Sequence, residues 1–273
     1  MTPIRPKFEN PPLIERAVTV MFEPLTALSI GDYGLFWAKI RDEFPISEAM
    51  PLVAPEIEQF GSFRPVHHQI QLIPENTLPR VFFRNPEKGE LIQLQPDRFS
   101  FNWIKTSSEH CYPHSEKVLS MFFALFDTFS RFVAERQLGE IVPIQCEITN
   151  VNVVPVADVG DTFADFATVI KLPDLRSPAQ FLPVESQVAG AKHLILDDAG
   201  EPIGRVHSVG QPSLRILSNE LAYRLDIVAR GAPIGPGRAG VEHFFEKAVS
   251  AINGVFLASV TQVGRQFWGE QNG

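Results

Sequence analysis

Two long stretches of helical periodicity, each preceded by a group of short strands, constrain the fold of this chain most. In the first, residues 113–137, apolar residues recur on one face and most of them are aromatic. In the second, residues 241–268, apolar positions at 241, 244, 245, 248, 252, 255, 256, 263 and 267 keep close to a period of 3.6 residues. Each half of the chain is therefore expected to end in a long helix with a buried face.

Stretches with a two-residue period predict the strands that come before these helices. In the first half they are residues 17–22, 81–84, 91–95 and 98–104, and in the second half residues 144–154, 193–197, 203–209 and 221–229. A short helix capped by Asp32 follows the first strand. Prolines make residues 1–16 an extended arm and residues 45–80 irregular.

This order predicts an α+β fold with mainly antiparallel sheet. Each half contains a strand, a connector, an antiparallel β-meander and a long helix. We expect two similar, tightly associated halves, residues 1–140 and 141–273, that form a structural duplication.

Composition argues against several classes of protein. The net charge is −8, and no window carries the basic stripe that a nucleic-acid-binding protein needs to neutralise phosphates. The most apolar run, residues 121–126, is much shorter than the roughly 20 residues of a membrane span. Cys111 and Cys146 are the only two cysteines, too few for a disulfide scaffold. We expect a cytoplasmic protein that binds neither nucleic acid nor membrane, and a protein partner or a homo-oligomer remains open.

The loop Gly235-Pro236-Gly237-Arg238-Ala239-Gly240 matches the G-x-G-x-x-G pattern between a strand and a helix. Dinucleotide binding also requires a second parallel strand after the helix, and the helix here runs nearly to the last residue. One interpretation is an anion site, with Arg238 beside the backbone amides of Gly237 and Gly240. The alternative is a flexible connector.

Catalytic and metal motifs are otherwise missing. His110, Cys111 and His114 are side chains of types that bind zinc, but a structural site needs four ligands, usually from two separated pairs. No nucleophile elbow, phosphate-binding lysine loop or H-E-x-x-H pattern occurs. We assign no metal, no cofactor and no catalytic residue.

Asn150 and Asn152 break the pattern of the strand at 144–154. The apolar face of that strand begins with Ile144, Cys146 and Ile148 and then continues with the two asparagines. Either a β-bulge switches the register there, or two amides point towards the interior. Buried amides need partners, so they would lock a loop or line a pocket.

Several segments, in order along the chain, resemble a sporadically distributed bacterial family of uncharacterised proteins. They are NPPLIE at 10–15, YGLF at 33–36, IRDEFP at 40–45, QPDRFS at 95–100, TNVN at 149–152, LDI at 225–227, and residues 248–256 and 261–269. The chain departs from the family at Thr149, Val228 and around Val249. The family has no assigned catalytic residues, and its patchy occurrence implies, by analogy, an association with defence or toxin–antitoxin loci.

Two functions are compatible with these observations. The first is a non-enzymatic protein-interaction, accessory or immunity component, because no catalytic constellation is assembled. The alternative is a small-ligand-binding protein or an enzyme that uses a cleft between the two halves, near Asn150, Asn152 and Arg238. A pocket lined by titratable groups would favour the alternative, and a broad apolar surface would favour the first.

Overall fold

The computed structural model describes residues 4–60, 78–107, 109–173, 179–215 and 219–271. It confirms the expected α+β class with a large antiparallel sheet. The strands are β1 (Lys7–Phe8), β2 (Leu13–Phe22), β3 (Ile46–Met50), β4 (Arg80–Asn85), β5 (Glu90–Gln95), β6 (Arg98–Ile104), β7 (Pro143–Pro155), β8 (Ala189–Leu196), β9 (Pro202–Arg215), β10 (Glu220–Gly231) and β11 (Glu270–Gln271). The helices are α1 (Ile30–Ile40), α2 (His114–Glu135), α3 (Gly237–Ser259) and α4 (Gln262–Phe267), with two 3-10 turns at Val156–Asp158 and Phe163–Thr168.

Nine strands form one sheet in the order β3-β4-β5-β6-β2-β7-β10-β9-β8, and every neighbouring pair is antiparallel. Strands β2 and β7, the first long strand of each half of the chain, are neighbours inside this sheet. A second, two-stranded sheet joins β1 to β11. The strands of the first half therefore lie on one side of the β2–β7 pair and those of the second half on the other.

The main core lies between one face of the large sheet and helices α1, α2 and α3. Phe99 of β6 stacks on Phe129 of α2, with the ring centroids 5.3 Å apart. Phe122 of α2 meets Phe245 of α3 edge to face at 5.6 Å. Aromatic pairs at such distances add to the free energy gained from burying their apolar area. The aromatic stripe expected on residues 113–137 is thus part of the core.

The other face of the sheet, here called the open face, is mostly polar. Buried polar residues that face this side include Thr19, Gln95, Ser100, Asn102 and Gln145. Thr19 and Ser100, which are cross-strand partners, share a hydrogen bond of 2.8 Å between their hydroxyl oxygens. A sheet with helices on one face presents this face to solvent or to a covering segment.

The prediction of a single helix over 241–268 is wrong, because the structure has two helices there. Helix α3 ends at Ser259, where Val260 pairs with Ile170 and the Thr261 amide donates to the Val169 carbonyl at 3.0 Å. The Thr261 hydroxyl then caps α4 by accepting from the Gly264 amide at 3.0 Å. A pairing with a distant part of the chain therefore ends a helix whose apolar period continues.

Three local expectations also change. The region 45–80 contains the edge strand β3, and the region 1–16 contains β1 and the start of β2. Ser29, not Asp32, is the N-cap of α1, and the Asp32 carboxylate accepts from the Ser29 amide at 3.0 Å in a capping box.

No helix in the described ranges is long and apolar enough to cross a membrane.

Candidate functional site

A cleft of about 850 Å³ lies on the helix side of the sheet, where the two halves of the chain meet. Its floor is formed by the ends of β2 and β7, and its walls by the start of α2, one side of α3 and the arm at residues 5–9. The cleft therefore draws residues from both halves. We refer to it as the Arg16 cleft, after the residue at its floor.

Arg16 belongs to the buried face of β2. It alternates with Val18, Val20 and Phe22 on that face, and its side chain is only 2% exposed. Its Nε donates to Asn150 Oδ1 at 2.7 Å, and its Nη1 donates to the hydroxyls of Tyr112 and Ser115. The guanidinium carbon also lies 5.2 Å from the centroid of the Tyr112 ring.

All of these partners of Arg16 are neutral. Within the part of the chain that the structure describes, no carboxylate forms an ion pair with Arg16. A buried cation without a counter-charge costs a large desolvation free energy, which an anion in the cleft would offset. The arrangement is therefore suited to receiving a negative group.

Asn150 and Asn152 both point to the interior and line this cleft, at 6% and 3% exposure. The pairing of β7 with β10 is unbroken, but its pairing with β2 shifts register twice, between Leu13 and Glu15, opposite Asn152 and Val151, and between Met21 and Phe22. Asn152 Nδ2 donates to the Leu225 carbonyl at 3.0 Å. The Asn150 Oδ1 is used by Arg16, which leaves its amide nitrogen available as a second donor.

The start of α2 faces the same cleft. Its N-cap residue is Pro113, which has no side-chain acceptor for the first amides of the helix, and His114 has a φ of +64°. Residues other than glycine seldom adopt that left-handed region, and such strain often accompanies a functional site. The helix dipole favours negative charge at this end, where Glu116 of the first turn already places a carboxylate, paired with Arg5 at 2.7 Å.

Apolar side chains form one side of the cleft. They include Phe8 and Phe256, whose rings meet edge to face at 5.6 Å, together with Leu13 and Val249. Burial raises the pKa of Tyr112, although the nearby Arg16 charge opposes that shift. Tyr112 is therefore a neutral hydroxyl at neutral pH. The cleft thus combines Arg16 at its floor with an apolar side, and its rim carries charges of both signs on Arg5, Lys7, Glu9 and Glu116.

The glycine-rich loop lies outside this cleft. Arg238 forms ion pairs with Asp127 and Glu242, so carboxylates of the chain already balance its charge. Gly237 takes a φ of +57°, and Gly240 closes the loop by accepting from the Ile234 amide at 3.0 Å. The structure therefore does not bring Arg238, Gly237 and Gly240 together with Asn150 and Asn152.

His110 has a different environment from Cys111 and His114. The Nε2 of His110 accepts from the Trp103 indole at 3.3 Å, while Cys111 and His114 lie at the border of the cleft. Across the described ranges, no group of three or more His, Cys, Asp or Glu side chains is placed to hold a metal ion.

Sequence reasoning found the asparagines of this cleft and missed Arg16, Tyr112 and Ser115. Arg16 precedes the strand expected at 17–22 and falls in the arm expected at 1–16. The signal that could have found it is the alternation of β2, because residue 16 has the same parity as Val18 and Val20.

Comparison with known proteins adds no relative to this description. No protein-family model matches the chain, and no curated protein is significantly similar to it.

Proposed function

We propose that this protein binds a small organic anion in the Arg16 cleft, with a carboxylate or phosphate against Arg16 and an apolar part against Phe8 and Phe256. The observation that carries this proposal is a nearly fully buried guanidinium that has only neutral partners and lines a cleft. This corresponds to the alternative expected from the sequence, a ligand-binding cleft between the two halves.

The available donors fit an anion. Arg16 Nη2 and Asn150 Nδ2 have no protein acceptor among the described residues, and Nη1 of Arg16 is already held by Tyr112 and Ser115. The guanidinium is therefore fixed in place before a ligand arrives. A preorganised donor pair loses little conformational entropy on binding. Charge-assisted hydrogen bonds to a carboxylate or phosphate are among the strongest that a protein makes.

The dimensions fit a ligand of metabolite or fatty-acid size. Ligand pockets have volumes of about 300–1,000 Å³, and the cleft lies within that range at about 850 Å³. The floor of the cleft is polar and one side is apolar. A small amphiphilic acid therefore matches the cleft better than an inorganic ion or a fully apolar molecule.

The test is a thermal-shift screen with matched charged and neutral probes: octanoate against octanol, and a phosphate monoester against its parent alcohol. Ligand at a hundred times its Kd stabilises a protein by about 2.7 kcal/mol. At about 2–4 °C per kcal/mol, we expect the melting temperature to rise by about 5–10 °C with acids only.

Two variants decide whether the effect comes from the cleft. Arg16→Gln should abolish the rise, while Arg238→Gln, which removes an exposed arginine elsewhere, should leave it unchanged. Equal shifts with acids and alcohols, or a shift that survives in Arg16→Gln, would contradict the proposal.

A second candidate function is protein interaction through the edge strand β8. This strand pairs with β9 on one side, and its Leu194 and Leu196 side chains, which share a face, are exposed. An exposed edge with apolar side chains is a template for pairing with another chain. We propose a second copy of this chain as the partner, paired through β8.

Sedimentation velocity tests this second candidate. The chain should sediment as a dimer at micromolar concentration, and Leu194→Lys should make it monomeric. Leu214→Lys changes an exposed leucine of β9 and serves as the matched control. A monomeric wild-type chain would count against an interaction through this edge.

Three broader expectations also remain proposals. We propose a cytoplasmic location, supported by Cys111 and Cys146, neither of which forms a disulfide. We propose that residues 1–140 and 141–273 arose by duplication, supported by the central β2–β7 pair with a meander on each side. The resemblance to a sporadic bacterial family with a role near defence loci rests on the sequence segments alone.

A further inference from the structure

Residues 53–60 cross the open face of the sheet almost at right angles to its strands, and we refer to this segment as the strap. Its contacts fall successively on Gln95 of β5, Arg98 of β6, Gln145 of β7, Arg230 of β10 and Arg205 of β9. The strap is extended and belongs to no strand of the sheet. Side chains of the sheet, and not its backbone, hold it.

Two buried glutamines bind the main chain of the strap. Gln95 Oε1 accepts from the Val53 amide at 2.9 Å, and its Nε2 donates to the Val53 carbonyl at 3.2 Å. Gln145 Nε2 donates to the Glu56 carbonyl at 2.7 Å, and its Oε1 accepts from the Glu58 amide at 2.8 Å. Contacts of this kind bind backbone atoms of an extended segment and do not depend on which side chains the segment carries.

Charged side chains supply the specificity. Glu56 pairs with Arg230, and Glu58 pairs with both Arg205 and His207. The Arg205 guanidinium also lies 4.6 Å from the centroid of the Phe60 ring. Among the described residues, the strap supplies the carboxylates that pair with these cations, apart from Glu147, which pairs with Arg230 at 2.9 Å.

The length of the strap matches the width that it crosses. From β5 to β9 there are five interstrand spacings, about 24 Å at roughly 4.8 Å each. The seven steps from Val53 to Phe60 cover about 24 Å at roughly 3.4 Å per residue. An extended segment of this length therefore spans the strands from β5 to β9, and in it residues 54, 56, 58 and 60 share one side.

The attachment of the strap is polar. Val53 and Ile57 are 39% and 43% exposed, so they add some buried apolar area to these polar contacts. Glu56 is 76% exposed, so its pair with Arg230 contributes about 1 kcal/mol or less, whereas Glu58 is only 8% exposed and its pairs with Arg205 and His207 are the stronger attachment. Releasing the strap would thus leave the apolar core on the other face of the sheet intact.

From these contacts we infer that the open face carries a binding groove for an extended acidic peptide, and that the strap occupies it as an internal ligand. The partner is a protein segment with the pattern acidic-x-acidic-x-aromatic, matching Glu56, Glu58 and Phe60. It binds when it displaces the strap. This inference concerns the face opposite the Arg16 cleft and does not depend on the ligand proposed there.

The environment of Arg98 indicates how a displacing peptide could bind more tightly than the strap does. Its Nε is buried without a partner in the described structure, and its Nη2 reaches only the Ala54 carbonyl at 3.4 Å and the Met21 sulfur at 3.8 Å. Ala54 shares the parity of Glu56 and Glu58, so a carboxylate at position 54 would face Arg98. A peptide with a third acidic residue there should bind more tightly than the native strap sequence.

The experiment measures fluorescence anisotropy of a labelled peptide with the sequence of residues 51–60, PLVAPEIEQF, against the full chain. Two variants remove the charged contacts with which the strap competes for the groove, and we call them the vacated variants: Glu56→Gln with Glu58→Gln, and replacement of residues 53–60 by a glycine-serine repeat of equal length. Both should bind the peptide at least tenfold more tightly than the wild-type chain, in which the strap competes. An Ala54→Glu peptide should bind several-fold more tightly again.

Controls separate a specific groove from general charge attraction. Adding Arg205→Gln to either vacated variant should weaken binding at least tenfold, and a scrambled peptide of the same composition should not bind. Circular dichroism of each variant establishes that it is folded. If a folded vacated variant binds the peptide no better than wild type, or binds the scrambled peptide equally well, the inference is wrong.

Discussion

Arg16 and Asn150 are cross-strand partners on β2 and β7, and the Arg16 Nε donates to the Asn150 Oδ1 at 2.7 Å. This bond connects the first half of the chain to the second within the sheet. It also fixes the guanidinium at the floor of the cleft. The same contact therefore serves the assembly of the sheet and the geometry of the proposed anion site.

Replacing Arg16 by methionine separates these two roles. The variant loses hydrogen bonds but also removes a buried, unbalanced charge, and such exchanges are often neutral or stabilising. In the absence of ligand, we expect the free energy of unfolding to change by less than about 1.5 kcal/mol, measured by urea denaturation. Phe99→Ala, which leaves a cavity in the core, should lower the free energy of unfolding by about 3–5 kcal/mol in the same assay. A comparable loss for Arg16→Met would make Arg16 a structural residue.

The two adjacent aromatics at the end of α4 should differ in their effect on stability. Trp268 is 4% exposed, and its ring centroid lies 6.0 Å from that of Phe256, whereas Phe267 is 52% exposed. Trp268→Ala should lower the free energy of unfolding by about 3–5 kcal/mol, and Phe267→Ala by less than about 1 kcal/mol. Urea denaturation of the two single variants measures the difference. Equal losses would contradict the packing described for this end of the chain.

Glu58 should make stability depend on pH. Burial raises its pKa, but hydrogen bonds from Arg205 and His207 and their charges outweigh that effect, so the pKa lies below the ordinary value of 4.5. A carboxyl with a lowered pKa stabilises the fold fully above its unfolded pKa, and this contribution is lost as the pH falls through the folded value. Wild type should therefore be more stable than Glu58→Gln at pH 7, and the difference should shrink below about pH 4.5. A difference that is constant with pH would contradict the pairing.

The two cysteines should react at different rates. Cys111 is exposed at the border of the Arg16 cleft, whereas Cys146 is buried, which raises the pKa of its thiol. Only thiolates react quickly with disulfide reagents. A thiol titration of the native chain should modify Cys111 alone, and both should react in denaturant. Rapid modification of Cys146 in the native chain would show that the core opens around β7.

Local patterns predicted much of the sheet. The strand expected at 98–104 has the observed bounds, because its alternation of Phe99, Phe101 and Trp103 faces a core directly. The edge strand β3 has no such alternation, since almost all of its side chains are exposed. Its strand conformation depends on pairing with β4, a contact that no local pattern reveals. The break after Ser259 depends in the same way on Ile170.

The candidate cleft could be predicted only in part. Two amides on an apolar face indicated an interior polar feature, and Asn150 and Asn152 do line the cleft. The pattern could not show that Arg16 is the partner of Asn150, because the pairing of β2 with β7 joins positions far apart in the chain. The glycine-rich loop matched a motif, yet its arginine pairs with Asp127 of α2, a residue that the motif does not contain.

The position of β2 next to β7 has a consequence during synthesis. The partner strand starts at Pro143, about 120 residues after β2 ends at Phe22, and at about 5–20 residues per second the nascent chain waits roughly 6–25 seconds for it. Until then, one edge of β2 has no strand to pair with and could join the edge of another unfinished chain. A charged side chain pointing inward from an edge opposes such aggregation. Arg16 is a charged side chain that points inward from this edge, so we expect it to oppose such pairing until β7 has been made.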